Sequence, residues 1–153
     1  MRAAIAEAVA AGQPAAGQDQ RQTIADVPVG AVVLDSAQTI IARAGNRREA
    51  DIDPTAHAEI LAIRQAAAVL GSRRLDGCTL VVTLEPCTMC AGAVLAARPR
   101  RLVYGAADPR AGAAGSVWDL LHDRRLGPPV EVIGGLLAAQ CADLLGGFFR
   151  ERR

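Results

Sequence analysis

Two short motifs contain the residues best suited to chemistry. His57 and Glu59 are separated by one residue, and Cys87, thirty positions after the histidine, follows Pro86 and precedes Cys90 by three. Imidazole nitrogen and thiolate sulfur are ligands that zinc prefers, and two cysteines one helical turn apart can bind one ion. The spacing therefore predicts a zinc site formed by His57, Cys87 and Cys90.

The number of ligands favours a catalytic zinc site over a structural one. Three protein ligands leave the fourth tetrahedral position open for water, whose pKa the metal lowers. Glu59 lies two residues from His57, so on a helix it points to a different side and can exchange protons with that water. The arrangement favours hydrolysis, in which hydroxide adds to an amino-bearing ring carbon and ammonia leaves.

A structural zinc site is the alternative, and it needs a fourth ligand. The remaining candidates are Cys78, His122 and Cys141, none of which has ligand-like spacing. Cys78 enters a predicted strand, Cys141 lies on the inner face of a predicted helix, and His122 ends a polar turn. These positions are typical of two core thiols and a surface imidazole.

The apolar pattern around the motifs predicts one α/β sandwich domain over residues 1–153. Short apolar runs bounded by turn residues predict strands over residues 27–34, 40–44, 79–84, 101–104 and 130–133. Apolar residues at helical spacing predict helices over residues 2–11, 54–70, 86–97 and 136–150, with a short helical turn over 117–122. Pro54 is expected in the first turn of its helix and Gly71 at the C-cap.

One segment has little to bury. Residues 12–26 are rich in Gly, Gln, Pro and Ala, a composition that predicts a flexible insertion loop before the first strand.

Composition excludes several classes of protein. Apolar residues make up 51% of the chain against 22% charged residues, which excludes a mostly disordered chain. The net charge of +1 means that any binding to nucleic acid must come from a local basic patch. No apolar run approaches the ~18 residues of a membrane-spanning helix, and four cysteines without an export signal are typical of thiols or metal ligands. We expect a soluble cytoplasmic protein that does not bind membranes.

Longer blocks around the motifs resemble the bacterial tRNA-specific adenosine deaminases of the cytidine deaminase superfamily. HxE followed by PCxxC marks the superfamily, and the flanking blocks and the final Phe-Phe-Arg are similar to the tRNA branch. The resemblance runs from Val27 to Arg153 and is carried by residues 28–32, 45–46, 53–59, 83–93, 112–116 and 148–150.

This resemblance implies a fold, a partner and a reaction. The implied fold is a three-layer α/β/α sandwich around a five-stranded mixed sheet, and the implied assembly is a homodimer with one zinc ion per chain. The zinc ligands carry over to His57, Cys87 and Cys90, and the proton shuttle to Glu59. The implied reaction is hydrolytic conversion of adenosine to inosine at the wobble position of the anticodon loop of an arginine tRNA.

The resemblance also implies substrate contacts. Asn46 matches a base-binding asparagine, whose amide can pair with a purine edge, and Val29 and Ala58 match walls of the pocket. Asp108 matches a position near the flanking nucleotides, where a carboxylate can accept a hydrogen bond from a ribose hydroxyl. The alternatives are a turn residue after Gly45 for Asn46 and a plain turn aspartate for Asp108.

The end of the chain is basic. Arg150, Arg152 and Arg153 match the basic end of the family's last helix and could contact phosphates of the anticodon stem-loop. The alternative is ordinary complementation of the helix dipole. The chain departs from the family pattern at residues 12–26 and at residues 127–129, where Gly-Pro-Pro replaces a polar segment.

Two other functions stay open. A deaminase of a free base such as guanine or cytosine would share the zinc site and Glu59. A non-catalytic RNA-binding module stabilised by zinc would share only the ligands, and it gives no reason for Glu59 to stand two residues from His57.

Overall fold

The structure, a computed structural model, describes residues 1–13 and 25–150. Five strands form one mixed sheet in the order β2-β1-β3-β4-β5, with β1 antiparallel to both neighbours and β3, β4 and β5 mutually parallel. The strands are β1 (Gly30–Leu34), β2 (Ile40–Gly45), β3 (Thr79–Leu84), β4 (Arg101–Ala106) and β5 (Glu131–Ile133). The helices are α1 (Arg2–Ala11), α2 (Ala58–Leu70), α3 (Thr88–Ala97) and α4 (Ala138–Arg150).

Alternating side chains along the strands create the two faces of the sheet. On β1, Ala31 and Val33 belong to the main core with α2 and α3, whereas Val32 faces the other way and packs with Ala4 of α1. Helix α4 lies on the same face as α1 and contacts β4. The predicted α/β/α sandwich with a five-stranded mixed sheet is therefore confirmed.

The strand directions bring the ends of several elements to one edge of the sheet. Because β1 runs antiparallel to β3, its first residue and the last residue of β2 lie beside the carboxyl end of β3. The N-terminus of α2 follows β2 through residues 46–57, and α3 follows β3 directly. The two predicted motifs therefore lie at the same edge.

The start of α2 differs from the sequence prediction. The helix begins at Ala58, and Pro54 lies in a turn before it. The Asp53 carboxylate accepts hydrogen bonds from the N–H and the hydroxyl of Thr55, at 2.8 and 2.7 Å, which holds this turn outside the helix. At the other end, Gly71 caps the helix with φ of +61°, as expected.

The helical turn predicted over residues 117–122 is wrong. Gly115, with φ of +134°, reverses the chain, and its N–H donates to the carbonyl oxygen of Trp118. Ala114 and Asp119 then pair across the reversal in an antiparallel bridge. The last helix also begins two residues later than predicted, because Leu137 adopts a positive φ of 56°.

The predicted insertion loop is described only at its ends, since residues 14–24 lie outside the described part. Ala25 and Asp26 are buried, and both Asp26 carboxylate oxygens accept backbone hydrogen bonds, from Glu49 at 2.8 Å and Ala50 at 3.1 Å. The expectation that residues up to 26 have little to bury is thus wrong at this end. Within residues 1–13 and 25–150, no helix has the length and apolarity needed to cross a membrane.

Gly30 is the point at which α1 approaches the sheet most closely. A Cβ atom there would overlap the backbone of Ala4 and Ala8, which cannot move without displacing the helix. We expect Gly30→Ala to lower the free energy of unfolding by ~1–3 kcal/mol. Chemical denaturation measures the change. Gly147→Ala, where nothing lies within 4 Å of the added atom, is the control and should be neutral or stabilising; equal stability of the Gly30 variant and the wild type would contradict the close packing.

Candidate active site

Three side chains converge at the edge of the sheet. His57 is the N-cap of α2 and Cys87 the N-cap of α3, with Cys90 in the first turn of α3. The His57 Nδ1 atom lies 3.8 Å from Cys87 Sγ and 3.5 Å from Cys90 Sγ, and all three ligand atoms lie within 4.8 Å of one another.

These distances fit a zinc ion. Tetrahedral bonds of ~2.05 Å to nitrogen and ~2.3 Å to sulfur place the two atoms about 3.6 Å apart, which agrees with both observed distances. Among the residues that the structure describes, His57, Cys87 and Cys90 are the only group of three or more that could hold a metal ion. The other candidates lie elsewhere: Cys78 and Cys141 are buried, and His122 is exposed beside Asp119. Zinc held here would have three ligands from the described part of the chain, as the sequence predicts.

The electrostatics of the group favour a cation. The Cys90 thiol donates to Cys87 and lowers the pKa of Cys87 to about 4, with a further contribution from His57. The same hydrogen bond and burial raise the pKa of Cys90, and the Cys87 hydrogen bond raises the pKa of His57. Two helix N-termini add partial positive charge, which stabilises thiolate. A metal ion would replace the protons that these groups share.

Glu59 lies beside the ligand group without belonging to it. Its side chain is only 4% exposed, in the first turn of α2. Burial raises the pKa of the Glu59 carboxyl group above its ordinary value. A carboxyl group whose pKa lies closer to neutrality exchanges protons more readily with a reacting group.

A cavity of about 220 Å³ opens onto these residues. Its volume is below the ~300–1,000 Å³ of pockets for larger ligands, which suits one planar ring system. The four residues predicted to bind substrate all line it, together with His57, Glu59 and Cys87: Val29, Asn46, Ala58 and Asp108.

Asn46 has one polar atom free. Its backbone N–H donates to Val29 and its Nδ2 donates to the carbonyl oxygen of Val27 at 3.2 Å. Its Oδ1 atom is buried and has no hydrogen-bond partner within the described residues. An unpaired buried acceptor costs ~1–3 kcal/mol, which a donor on a bound ligand would offset. This favours the base-binding interpretation over a plain turn residue.

Asp108 has a structural role in its own loop. Its Oδ1 atom accepts backbone hydrogen bonds from Arg110 at 2.9 Å and Ala111 at 3.2 Å, which is the pattern of a turn aspartate. Because the residue also lines the cavity, a substrate contact stays a prediction.

The sequence analysis missed a buried carboxylate beside the site. Glu85 is 2% exposed and accepts hydrogen bonds at 3.0 Å from the backbone N–H groups of Asp108, Ala114 and Ser116, and another from the Ser116 hydroxyl. Burial acts to raise the pKa of Glu85, but these hydrogen bonds outweigh it and hold the pKa below its usual value. Glu85 therefore fixes the loop from Asp108 to Ser116 at the cavity. The available signal was a charged residue between an apolar strand and Pro86.

The cavity has further polar residues that the sequence analysis did not predict, namely Asp26, Arg48 and Glu49. Of the predicted phosphate-binding arginines, Arg150 is exposed at the end of α4, while Arg152 and Arg153 lie outside the described residues. Arg150 is not among the described residues that line the cavity, and the phosphate contacts of all three arginines stay a prediction.

The part of the chain that contains both motifs matches a known protein family. Residues 4–106 match the family model described as the cytidine and deoxycytidylate deaminase zinc-binding region. This range includes the three ligand residues, Glu59 and Asn46.

Two relatives are similar over most or all of the chain. A tRNA-specific adenosine deaminase of Haemophilus influenzae is 46% identical over 135 residues, which cover 88% of this chain and 78% of that protein. A Deinococcus radiodurans protein named tRNA(Ile)-lysidine synthase is 51% identical over 153 residues, which cover all of this chain and 25% of that protein.

Solved structures give the same family. One structure, from a study of A-to-I editing by tRNA:A34 deaminases at the wobble position of transfer RNA, has a TM-score of 0.83 and 43% identity, over 95% of this chain and 97% of that chain. A guanine deaminase of Nitrosomonas europaea has a TM-score of 0.66 and 29% identity, over 97% and 79% of the two chains. Both the TM-score and the sequence identity are higher for the structure from the tRNA:A34 deaminase study than for the guanine deaminase.

The ligand assignment predicts loss of metal from Cys87→Ser, since a serine hydroxyl is a much poorer zinc ligand than a thiolate. Metal analysis of the dialysed protein should show zinc near one per chain for the wild type and well below it for the variant. Cys78→Ser is the matched control, because it makes the same change from thiol to hydroxyl at a buried cysteine outside the ligand group. Full zinc content in Cys87→Ser would refute the assignment.

Proposed function

The chain belongs to the tRNA-specific adenosine deaminases within the cytidine and deoxycytidylate deaminase family, and we propose that it converts adenosine to inosine at the wobble position of a tRNA anticodon loop. The observation that carries the proposal is the buried Glu59 carboxyl group beside, but outside, a three-ligand zinc site in a cavity the size of one base. We further propose an arginine tRNA as the substrate.

The reaction consumes one water and releases one ammonia. His57, Cys87 and Cys90 would hold the zinc ion, which would lower the pKa of a bound water molecule. Glu59 takes one proton from the attacking water molecule as the water oxygen bonds to the amino-bearing carbon of the purine. It passes this proton to the ring nitrogen and then moves the proton of the newly formed hydroxyl group to the amino group, so that the carbon–nitrogen bond breaks and inosine and ammonia form.

The walls of the cavity orient the base. We assign Val29 and Ala58 to packing against the purine ring, and the free Oδ1 of Asn46 to accepting a hydrogen bond from the nucleoside. We assign Asp108, which also lines the cavity, to accepting a hydrogen bond from a ribose hydroxyl of a flanking nucleotide. Binding the base by its edge fixes the reacting carbon relative to Glu59.

A deaminase of a free base is the second candidate, supported by the likeness to a guanine deaminase. The two functions are separated by measuring ammonia or inosine formation on an arginine tRNA with an ACG anticodon and on free adenosine, guanine and cytosine. The proposed function requires the tRNA to be the fastest substrate. Faster turnover of a free base would overturn it, and no ammonia from any substrate would favour a non-catalytic RNA-binding module.

We also propose that the chain acts as a homodimer in the cytoplasm. In support, Val117 and Trp118 form an adjacent pair of exposed apolar side chains, with Trp118 58% exposed. All four cysteines are free thiols, which suits a reducing compartment. Light scattering should give twice the 15.9 kDa of one chain; a mass of one chain would exclude the dimer.

The proton-shuttle role predicts a specific defect in Glu59→Ala. Turnover should fall by ~10²–10⁴ or more, while zinc content and tRNA affinity stay near wild type, since Glu59 acts in the reaction and not in holding the metal. Single-turnover kinetics and metal analysis measure the two properties. Glu49→Ala removes another carboxylate from the cavity lining and should retain turnover. Near-normal turnover of Glu59→Ala, or loss of its zinc, would contradict the role.

Phosphate binding by the basic terminus predicts a change in salt dependence. Truncation after Phe149 removes three arginines and one glutamate, a net change of −2. It should flatten the slope of log affinity against log salt by up to about 2, at ~0.7 per single-strand phosphate contact.

The matched control for this truncation is the Arg73→Ala, Arg100→Ala double variant, which has the same change of charge at the edge of the sheet that lies away from the cavity. Its salt slope should stay that of the wild type. Equal slopes in truncated and wild-type protein would leave the three arginines with only helix-dipole complementation.

A further inference from the structure

Arg48 lies among carboxyl groups in the described lining of the cavity. Among the residues that the structure describes, five carboxyl groups line the cavity, from Asp26, Glu49, Glu59, Glu85 and Asp108, and Arg48 is the only arginine of the lining. An RNA substrate carries a negative charge on each phosphate that enters with the target nucleoside. A cation at this position would offset repulsion between those phosphates and the carboxylates.

Arg48 differs from its neighbour Arg47 in its availability. The Arg47 guanidinium binds both oxygens of Asp51, with Nε 2.9 Å from Oδ2 and Nη2 2.6 Å from Oδ1. The nearest carboxylate oxygen to Arg48 belongs to Glu49 and lies 3.8 Å from its Nε, beyond hydrogen-bond distance. The arginine that lines the cavity is therefore the one whose donors are left for a ligand.

The backbone around Arg48 is held in place. The Arg47 N–H donates to the carbonyl oxygen of Ala56, just before α2, and the Asp26 carboxylate holds the N–H groups of Glu49 and Ala50. Arg48 thus projects from a loop anchored on both sides of it. A guanidinium on such a support can bind a phosphate with two parallel hydrogen bonds at lower entropic cost.

We propose that Arg48 binds a phosphate that flanks the target adenosine and thereby selects a polynucleotide over a free nucleoside or base. This inference rests on the proposed function. It assigns Arg48 to substrate binding only, since the residue does not belong to the ligand group and the proton shuttle is Glu59.

The first test compares Arg48→Gln, Arg48→Lys and Arg47→Gln on the arginine tRNA. Arg48→Gln should raise KM roughly tenfold at 50 mM salt, as expected for the loss of one hydrogen-bonded charge, and flatten the salt slope by about 0.7. Its kcat should stay near wild type. Arg48→Lys keeps the charge and should keep the salt slope, and Arg47→Gln, which breaks only an exposed ion pair, should behave as the wild type.

The second test removes the phosphate charge instead of the arginine. An anticodon stem-loop is made with one uncharged methylphosphonate linkage on the 5′ or the 3′ side of the target adenosine. One of these linkages should weaken binding to the wild type roughly tenfold and have little further effect on Arg48→Gln, because the partner is already absent. The other linkage should have similar effects on both proteins.

The outcomes separate this inference from the function itself. Failure of the wild type to deaminate the tRNA refutes the proposed function and the inference with it. Normal wild-type activity with fully additive effects of Arg48→Gln and both modified linkages refutes the inference alone. A lowered melting temperature with unchanged KM and salt slope in Arg48→Gln would likewise show that Arg48 only stabilises its loop.

Discussion

The site depends on two helix N-termini meeting at one edge of the sheet. His57 caps α2 and Cys87 caps α3, and neither helix has a side-chain hydrogen bond at its cap. The partial positive charge at these ends is therefore available to thiolate sulfur, in addition to the Cys90 hydrogen bond that lowers the pKa of Cys87. The strand order brings these helix ends together. Because β1 is antiparallel to β3, the segment that connects β2 to α2 starts beside the carboxyl end of β3. Zinc would connect the N-termini of two helices that also contact each other directly.

Buried carboxylates hold the loops around this edge. Asp26 binds backbone N–H groups of the loop before α2, and Glu85 binds those of the loop from Asp108 to Ser116. Each carboxylate replaces its lost hydration with several donors, so that its burial is compatible with a negative charge. Gly112 belongs to the second arrangement, since a Cβ atom there would overlap the Glu85 carboxyl group.

The sequence predicts those parts of the molecule whose signals are local. Apolar periodicity identifies every helix and strand, and the spacing of His57, Cys87 and Cys90 identifies the ligand group. The prediction fails where a side chain or a glycine overrides periodicity, as when Asp53 holds Pro54 outside α2 or Gly115 reverses the chain before Trp118. A charged residue before Pro86 marks Glu85 as unusual, but the partners of Asp26 and Glu85 could not be predicted, because nearly all of them are backbone groups 23 to 31 residues away. Such contacts have no residue type that could mark them in a sequence.

The division between core elements and loops explains how one fold can serve different substrates. Glu59 and the predicted zinc ligands, to which we assign the chemistry, lie on helix ends whose positions the packed sheet determines. The groups at the mouth lie on two loops, and loops tolerate sequence change more readily than packed elements do. Asp26 and Glu85 hold these loops mainly by their backbone N–H groups. The side chains of the loop residues can therefore change without loss of these hydrogen bonds. The likeness to a guanine deaminase is consistent with this division. The choice between a free base and an RNA would then depend on loop residues such as Arg48 and Asp108, while the deamination reaction stays the same.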